Sequence, residues 1–280
     1  MQLKFSKMHG LGNDFMVLDL VTQQWDVDQG LVARWADRHT GIGFDQLLVL
    51  APPRDPEADF ACRFFNTDGS EAEQCGNGAR CIARFANERG LSPKAELKFQ
   101  TNTGSITARV RDTQFVEVDL GAPILEPSAV PFAPPNESDD QGRYRINAAG
   151  VDYSVFPVSM GNPHGVIFVD SVSDTPVADI GPALTGHPAF PEQANIGFCQ
   201  VIDDSFIRLR VHERGVGETR ACGSGACAAV VAAHRLGQVG DKVKVSLPGG
   251  KVRVTIERET GHVLLSGPAS LVYHGTLELS

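Results

Sequence analysis

The sequence has 280 residues, of which 42% are hydrophobic and 21% charged, and its formal net charge at pH 7 is −9. This apolar content excludes general disorder, and the length suits one large domain or two of about 140 residues. The acidic balance has no basic cluster to offset it, so nucleic acid is not expected as a partner.

Neither a membrane span nor an export signal is predicted. The longest apolar run, Ala226–Ala233, is far shorter than the ~20 residues that a spanning helix needs. The first residues lack the apolar segment of a signal peptide. The six cysteines are too sparse for a disulfide scaffold, and none forms a C-x-x-C pair. We therefore expect a cytoplasmic protein with no membrane partner and no structural metal site.

The predicted elements alternate between strands and a single strong helix in each half. The first helix carries a 3.6-residue apolar period over Ala79–Ala86 and is stopped by Gly90, and the second covers Ala226–Leu236 and is stopped by Gly237. Strands are predicted, in chain order, at Gln46–Leu50, Phe60–Phe65, Glu96–Val110, Phe115–Leu120, Gly165–Val169, Phe206–Val211, Lys242–Ile256 and Val263–Ser266. The polar, proline-rich stretch Pro131–Arg143 predicts a long surface loop. The pattern indicates an α+β fold in which each sheet curls around its own helix.

An internal repeat divides the chain into two homologous halves. Cys75-Gly76-Asn77-Gly78-Ala79 and Cys222-Gly223-Ser224-Gly225-Ala226 share four of five residues, 147 positions apart. The glycine-centred hairpin pattern at Phe99–Val110 resembles that at Val245–Ile256. A third echo joins residues 41–46 to residues 195–200.

The motif C-G-x-G before a helix predicts an anion site beside a reactive thiol. The glycines expose backbone N–H groups, and the positive end of the helix favours a carboxylate and lowers the pKa of the cysteine. Two such units, one in each half, predict a site between the halves with a thiol on each face of a bound ligand. Opposed acid and base groups are what inversion at a carbon atom requires.

The other cysteines and glycines have simpler interpretations. Cys62, Cys81, Cys199 and Cys227 lie among apolar positions and are expected to pack in the core. Residues 223–228 also match G-x-G-x-x-A, but no apolar strand leads into them, so a dinucleotide site is not favoured.

A set of motifs, in order along the chain, resembles the diaminopimelate epimerases, enzymes of lysine and cell-wall precursor synthesis that need no pyridoxal phosphate. The motifs are Lys7-Met8-His9-Gly10-Leu11-Gly12-Asn13-Asp14-Phe15, Gly43-Phe44-Asp45-Gln46, Phe65-Asn66-Thr67-Asp68-Gly69-Ser70, Gln74-Cys75-Gly76-Asn77-Gly78, Gly161-Asn162-Pro163-His164, His212-Glu213-Arg214-Gly215-Val216-Gly217-Glu218-Thr219 and Ala221-Cys222-Gly223-Ser224-Gly225. The resemblance runs from Lys7 to the C-terminus.

The resemblance implies interconversion of L,L- and meso-diaminopimelate with no cofactor and no metal, Cys75 and Cys222 being the acid–base pair. It implies that His164 and Glu213 tune the protonation of these thiols. It further implies a homodimer with Tyr273 at the interface. The substrate-binding residues it implies are Asn13, Gln46, Asn66, Gly76, Asn77, Asn162, Asn195, Glu213, Arg214, Gly223 and Ser224.

The expected domains are residues 1–122, carrying Cys75, and residues 123–280, carrying Cys222. The final strand, near residues 269–280, is a candidate for exchange into the first domain.

Three alternatives stay open at this point. A proline or hydroxyproline racemase would use the same two-cysteine logic, but it would lack a partner for a distal carboxylate, the role that the resemblance implies for Arg214. A thiol redox protein could join Cys75 to Cys222 in a disulfide, although no thioredoxin-like pattern is present. A pure binding module would leave the duplicated thiols without a purpose.

Overall fold

The computed structural model describes residues 2–72, 76–102, 104–111 and 115–279. The chain divides into two units. Unit 1 consists of Met1–Asp119 and Ser266–Ser280, and unit 2 consists of Leu120–Leu265. Cys75 lies outside the described residues, so its predicted role has no structural description here.

The residues of unit 1 that the structure describes form a mostly antiparallel sheet and two helices. Its strands are β1 (Gln2–Gly10), β2 (Asn13–Asp19), β3 (Gln46–Ala51), β4 (Phe60–Asn66), β5 (Glu71–Ala72), β6 (Glu96–Gln100), β7 (Ser105–Val110), β8 (Phe115–Asp119) and, far along the chain, β18 (Ser270–Glu278); its helices are α1 (Gln29–Ala36) and α2 (Gly76–Glu88). The sheet order is β18-β1-β2-β3-β4-β6-β7-β8, with β5 also pairing with β4. Among the described residues of this unit, only the β2–β3 and β4–β6 pairs are parallel.

Both faces of the central strands in unit 1 are buried, which explains their continuous apolar sequences. Leu48 and Phe64 face α2, because a Cβ added at Gly78 of that helix would lie 3.0 Å from Leu48 and 3.1 Å from Phe64. Leu47 and Phe65 belong instead to the core cluster that contains residues of α1. The predicted apolar face of α2 is buried, and Gly90, in the left-handed region at φ 65°, follows the end of the helix as expected.

Unit 2 has the same kind of architecture around its own central helix. Its strands are β9 (Tyr144–Ala148), β10 (Val151–Ser159), β11 (Pro163–Phe168), β12 (Asn195–Asp203), β13 (Phe206–Glu213), β14 (Gly217–Thr219), β15 (Lys242–Leu247), β16 (Gly250–Ile256) and β17 (Val263–Pro268), the last continuing into unit 1; its helices are α3 (Val177–Thr185) and α4 (Gly223–Arg235). Strands β10, β11, β12, β13 and β16 all contact α4. Ten apolar or small residues of this helix are buried, Gly223 and the unbroken run from Gly225 to Ala233.

Helix α3 packs closely on β13. A Cβ added at Gly181 would lie 2.5 Å from two ring atoms of His212. The Thr185 hydroxyl, at the end of the same helix, is 2.8 Å from His212 Nδ1. The absence of a side chain at Gly181 therefore allows α3 to seat on the strand that ends at Glu213.

The two units repeat the same pairing pattern, which confirms the predicted α+β fold of two homologous halves. A parallel pair (β2–β3 or β11–β12) leads to an antiparallel hairpin (β3–β4 or β12–β13), then to a second parallel pair (β4–β6 or β13–β15) and a second hairpin (β6–β7 or β15–β16). Even the registers correspond: Leu50 pairs with Cys62 in unit 1, and Cys199 pairs with Leu209 in unit 2. The leucine and the cysteine have exchanged strands between the units, which keeps one large and one small side chain in each pair.

The third sequence echo, between residues 41–46 and residues 195–200, does not join structurally equivalent positions, so that prediction is wrong. Residues 41–45 precede β3, whereas Asn195–Cys199 form the beginning of β12. The structural equivalent of Gln46 is Asn195, since each opens the strand that pairs in parallel with its unit's preceding strand. The glycine and phenylalanine shared by the two segments therefore serve a loop in one unit and a strand in the other.

The loop prediction for Pro131–Arg143 is confirmed, because these residues form no helix or strand and are mostly exposed. In the described part of the chain, none of the helices combines the length and the apolar character that a membrane span requires.

Candidate active site

Cys222 caps the N-terminus of α4. Its backbone is extended, with φ −108° and ψ 110°, and its Sγ accepts a hydrogen bond from the Gly225 N–H at 3.3 Å. The Ser224 hydroxyl oxygen lies 3.7 Å from the same sulfur. A Cβ at Gly225 would lie 3.1 Å from Sγ, so the second glycine of the motif leaves room for the capping thiol.

The pKa of Cys222 is raised well above its ordinary value, contrary to the expectation from the motif. Burial is the largest cause, and the negative charge of Glu213 raises the pKa further. The hydrogen bonds from Gly225 and Ser224 lower it but are outweighed. The prediction of a lowered pKa is therefore wrong for this cysteine, since the thiol is buried and has a carboxylate beside it. The thiol is protonated at neutral pH.

Glu213 is the last residue of β13, and its carboxylate accepts a hydrogen bond from the Thr219 hydroxyl on the neighbouring strand β14. Arg214 follows it. The Arg214 backbone N–H donates to Asn195 Oδ1 at 2.8 Å, and its guanidinium donates to the Glu192 carbonyl at 3.0 Å. The strand end thus brings three predicted site residues next to one another.

His164, the second residue of β11, is buried and neutral at physiological pH. Burial, assisted by the positive charge of Arg214, lowers its pKa to about 3. Its Nε2 lies 3.0 Å from Asn162 Oδ1; since that oxygen only accepts, Nε2 carries the ring hydrogen and Nδ1 is left as an acceptor. Among the described residues, this buried Nδ1 has no hydrogen-bond partner.

These contacts link all the predicted site residues of unit 2. Asn162 bonds to His164, and His164 stands opposite Asn195 in the parallel β11–β12 register. Asn195 binds the backbone of Arg214, the neighbour of Glu213 in the chain. Glu213 in turn acts on Cys222. Gly223 and Ser224 form the first turn of α4.

The predicted site residues of unit 1 form two pairs. Gln46 Nε2 donates to Asn66 Oδ1 at 3.1 Å across the β3–β4 ladder. Asn77 Nδ2 donates to Asn13 Oδ1 at 3.2 Å, and Gly76 and Asn77 begin α2. The pairs are connected through Asp45, the neighbour of Gln46, which accepts a hydrogen bond from Asn13 Nδ2 at 2.8 Å.

The repeat places these residues at equivalent positions in the two units. Gln46 and Asn195 open β3 and β12, while Asn66 and Glu213 close β4 and β13. The first glycine of each C-G-x-G motif begins a helix, Gly76 in α2 and Gly223 in α4. Equivalence in the fold does not extend to charge, because an amide in unit 1 corresponds to the carboxylate of Glu213 in unit 2.

The sequence-based interpretation missed a group of charged residues that support Asn13. Arg38 donates to both Asp14 and Asp45 at 2.7 Å, and Lys7 also pairs with Asp14. Burial alone would raise the pKa of Asp14, but the hydrogen bonds and charges of Arg38 and Lys7 lower it to about 2.

Arg80 was also missed, although an arginine on the apolar face of a predicted helix is a signal of a buried polar contact. The four cysteines expected to pack in the core, Cys62, Cys81, Cys199 and Cys227, are all buried, as predicted. Burial raises the pKa of Cys62 and that of Cys199 to about 12, as expected for unreactive thiols. Tyr273 lies on β18 with 44% of its surface exposed, and its ring meets that of Phe5 edge-on.

Solved structures of low sequence identity share the fold. A hydroxyproline epimerase from Agrobacterium vitis aligns with a TM-score of 0.71 at 16% identity, covering 99% of this chain and 92% of that one. A PhzF-family phenazine biosynthesis protein from Bacillus anthracis aligns with a TM-score of 0.70 at 17% identity, covering both chains completely.

Sequence comparison goes further than the fold. The family model described as diaminopimelate epimerase matches residues 5–126 and 156–272. Curated proteins named diaminopimelate epimerase from Pseudomonas aeruginosa PAO1 and Azotobacter vinelandii are each 50% identical over 279 residues, covering 100% of both chains. Together with the duplicated α+β fold, these matches define the class of the protein as an isomerase, an amino-acid epimerase. Within that class, the chain belongs to the diaminopimelate epimerase family.

Proposed function

We propose that this protein interconverts L,L-diaminopimelate and meso-diaminopimelate by proton transfer at the α-carbon, with Cys75 and Cys222 as the acid–base pair. The activity would serve lysine and cell-wall precursor biosynthesis. The observation that carries the mechanism is Cys222, a buried protonated thiol at the start of α4 with a carboxylate beside it. The full-length relatives at 50% identity support the substrate.

A raised thiol pKa suits the residue that delivers a proton. Epimerisation needs one base to remove the Cα hydrogen and one acid to supply a hydrogen from the opposite face. With its thiol protonated, Cys222 would act as the acid, and Cys75 would then be the base in the same direction of the reaction. In the reverse direction the two thiols exchange roles, and the duplicated motif supplies chemically similar groups for both.

The backbone at the two helix starts suits the reacting carboxylate. The Cα hydrogen beside a carboxylate is weakly acidic, so fixed donors must stabilise the carbanion-like transition state. The N–H groups of Gly223 and Ser224 begin α4, and those of Gly76 and Asn77 begin α2. Each helix is 13 residues long, and the positive end of its dipole favours an anion at this position.

Polar side chains would hold the ammonium groups and the distal carboxylate. Arg214 is the cation for the distal carboxylate, and the amide residues of both units would bind the remaining polar groups: Asn13, Gln46, Asn66, Asn162 and Asn195. A site built for a second amino-acid head rejects a simple amino acid, because its buried polar groups would be left unpaired. This requirement separates the proposed substrate from proline and hydroxyproline.

His164 and Glu213 are proposed to tune the protonation of the two thiols. Glu213 raises the pKa of Cys222, which keeps the proton on sulfur until substrate arrives. Neutral His164 offers an acceptor, Nδ1, that is buried and has no partner within the described residues. A buried acceptor of this kind gains a hydrogen bond at little cost when a thiol or an ammonium group reaches it.

We further propose a cytoplasmic homodimer with exposed Tyr273 at its interface. The measurement that checks it is sedimentation of the wild type and of Tyr273→Ala. A dimer that the substitution weakens supports the proposal, and a wild-type monomer at micromolar concentration contradicts it.

The two-thiol mechanism predicts an asymmetric isotope pattern. A thiol carries one hydrogen, so the hydrogen removed by one cysteine is not the one delivered by the other. In deuterated water, early product should carry deuterium at Cα while recovered substrate stays unlabelled. Mass spectrometry of both isomers at low conversion measures this. Equal early labelling of substrate and product contradicts the assignment.

Matched variants identify the thiols. Cys75→Ala and Cys222→Ala should each abolish epimerisation in both directions. Cys227→Ala, in the helix that Cys222 caps, should retain the activity. We also expect activity to survive dialysis against a metal chelator and to be independent of added pyridoxal phosphate. Loss of activity in the chelator, restored by a metal ion, would contradict cofactor independence.

A further inference from the structure

Arg80 is a fully buried arginine in the second turn of α2. Its Nη2 donates to Asn77 Oδ1 at 2.7 Å. Weaker contacts of 3.4 Å join its Nη1 to the Gly76 carbonyl and its Nε to the Pro268 carbonyl. The guanidinium therefore lies directly beside the helix start that is proposed to bind substrate.

A directed chain of hydrogen bonds leads away from Arg80. Arg80 donates to the oxygen of Asn77, and the NH₂ group of Asn77 donates to the oxygen of Asn13 at 3.2 Å. The NH₂ group of Asn13 then donates to the Asp45 carboxylate at 2.8 Å. In every link, the donor belongs to the residue nearer to Arg80 and the acceptor to the residue nearer to Asp45.

The two ends of this chain determine the orientation of both amides. A guanidinium can only donate, so Asn77 must turn its oxygen towards Arg80 and its NH₂ group towards Asn13. An ionised carboxylate can only accept, so Asn13 must turn its NH₂ group towards Asp45. Reversing either amide would put two donors or two acceptors face to face at both of its contacts. Asp45 is itself held by Arg38 at 2.7 Å and by the Asp14 N–H at 3.1 Å.

The packing around this chain leaves it little freedom. A Cβ added at Gly10 would lie 3.3 Å from Arg80 Nη2 and 3.6 Å from Asn77 Cβ, so this glycine gives the two side chains their space. The arrangement is specific to unit 1. In the C-G-x-G alignment, Ser224 and Cys227 of unit 2 occupy the positions of Asn77 and Arg80.

We infer that Arg80 and Asp45 are positioning residues, which hold the Asn77 and Asn13 amides in one fixed orientation towards the substrate. The inference rests on the proposed function, in which these two asparagines bind diaminopimelate. Arg80 and Asp45 act through the amides, and their effect on catalysis disappears when the amides are removed.

Double-mutant kinetics test this coupling. Arg80→Met should lower kcat/KM about tenfold to hundredfold, the range for loss of one hydrogen bond to a charged group. In an Asn77→Ala background the same substitution should lower it less than about threefold. Asp45→Asn replaces a half-exposed carboxylate by an amide of equal size. This substitution should lower kcat/KM about tenfold in the wild-type background, but it should have no such effect in the Asn13→Ala background.

The control is Arg84→Met, one turn further along α2. Arg84 also contacts a backbone carbonyl near the start of β18, that of Ala269, but pairs with Glu88 rather than with an asparagine. It should change kcat/KM less than about threefold. Arg80→Lys, which keeps a donor but loses the fork, should fall between wild type and Arg80→Met.

A second readout needs no substrate. The side-chain amide signals of Asn13 and Asn77, assigned in NMR spectra from their alanine variants, should exchange with solvent about tenfold faster or more in Arg80→Met and Asp45→Asn than in wild type. If the wild type fails to epimerise diaminopimelate, the proposed function is wrong, but the amide exchange rates still test whether Arg80 and Asp45 hold the two asparagines in place. Additive double mutants, or unchanged amide exchange in Asp45→Asn, would overturn the inference.

Discussion

Replacing His164 should remove a large part of the acid sensitivity of the folded protein. The ring is buried, and burial lowers its pKa to about 3, whereas the unfolded chain has an ordinary histidine pKa of about 6.5. Above pH 6.5 the ring is neutral in both states and costs nothing. As the pH falls from 6.5 towards 3, only the unfolded state gains the proton, so stability is lost through this window.

The size of the effect follows from the two pKa values. Each pH unit between them costs about 1.4 kcal/mol. Between pH 7.5 and pH 5.0 the wild type should lose about 2 kcal/mol through His164, because the unfolded histidine titrates through most of that interval. His164→Gln keeps a donor for Asn162 but has no group that titrates there.

Urea unfolding at the two pH values, followed by circular dichroism, measures the difference. The drop in unfolding free energy from pH 7.5 to 5.0 should be about 2 kcal/mol smaller in His164→Gln than in wild type. The contributions of all other groups cancel in this comparison. His39→Gln, which removes an exposed histidine, is the matched control and should retain the wild-type drop. Equal drops in wild type and His164→Gln would refute the reasoning.

Three further outcomes are expected. Glu213→Gln should lower the pKa of Cys222, since the carboxylate raises it, and the pH profile of alkylation should move to lower pH; an unmoved profile contradicts the contact. Gly181→Ala should destabilise the protein by about 1–2 kcal/mol relative to Gly186→Ala, because overpacking against the β13 histidine ring exceeds the gain in helix propensity. In the control, a Cβ at Gly186 meets only the Pro182 carbonyl oxygen, at an ordinary 3.5 Å. Equal urea midpoints for the two variants would contradict the predicted clash. Oxidation by diamide should inactivate the enzyme through a Cys75–Cys222 disulfide that dithiothreitol reverses, and peptide mapping that finds another bridge contradicts this pairing.

Local signals in the sequence were enough to locate the central helices and the hairpins. The glycines before α2 and α4, their apolar faces and the glycines that follow them all act within a few residues. The repeat could be read for the same reason, because the hairpins β6–β7 and β15–β16 share their pattern. The family resemblance then supplied the candidate residues, and most of the described ones lie in groups that hydrogen bonds, strand register and chain neighbours connect inside each unit.

Features that depend on distant partners could not be read from the sequence. Strand β1 buries Ser6 and Lys7, which any local pattern assigns to solvent; Ser6 bonds to His274 on β18. Helix α3 contains Gly181 and Pro182, both unfavourable in a helix, and is held by its packing on β13. The pKa of Cys222 was misjudged because neither its burial nor the position of Glu213 is a local property.

The pairing of β1 with β18 has a consequence for biosynthesis. Gln2 pairs with Glu278, so the whole of unit 2 and most of unit 1 lie in the chain between these two paired strands. At about 5–20 residues per second, roughly tens of seconds separate their emergence from the ribosome. Throughout that interval one edge of β1 is an open template for strand addition. Unit 2, which is continuous in sequence, can fold first, and the N-terminal unit is completed last.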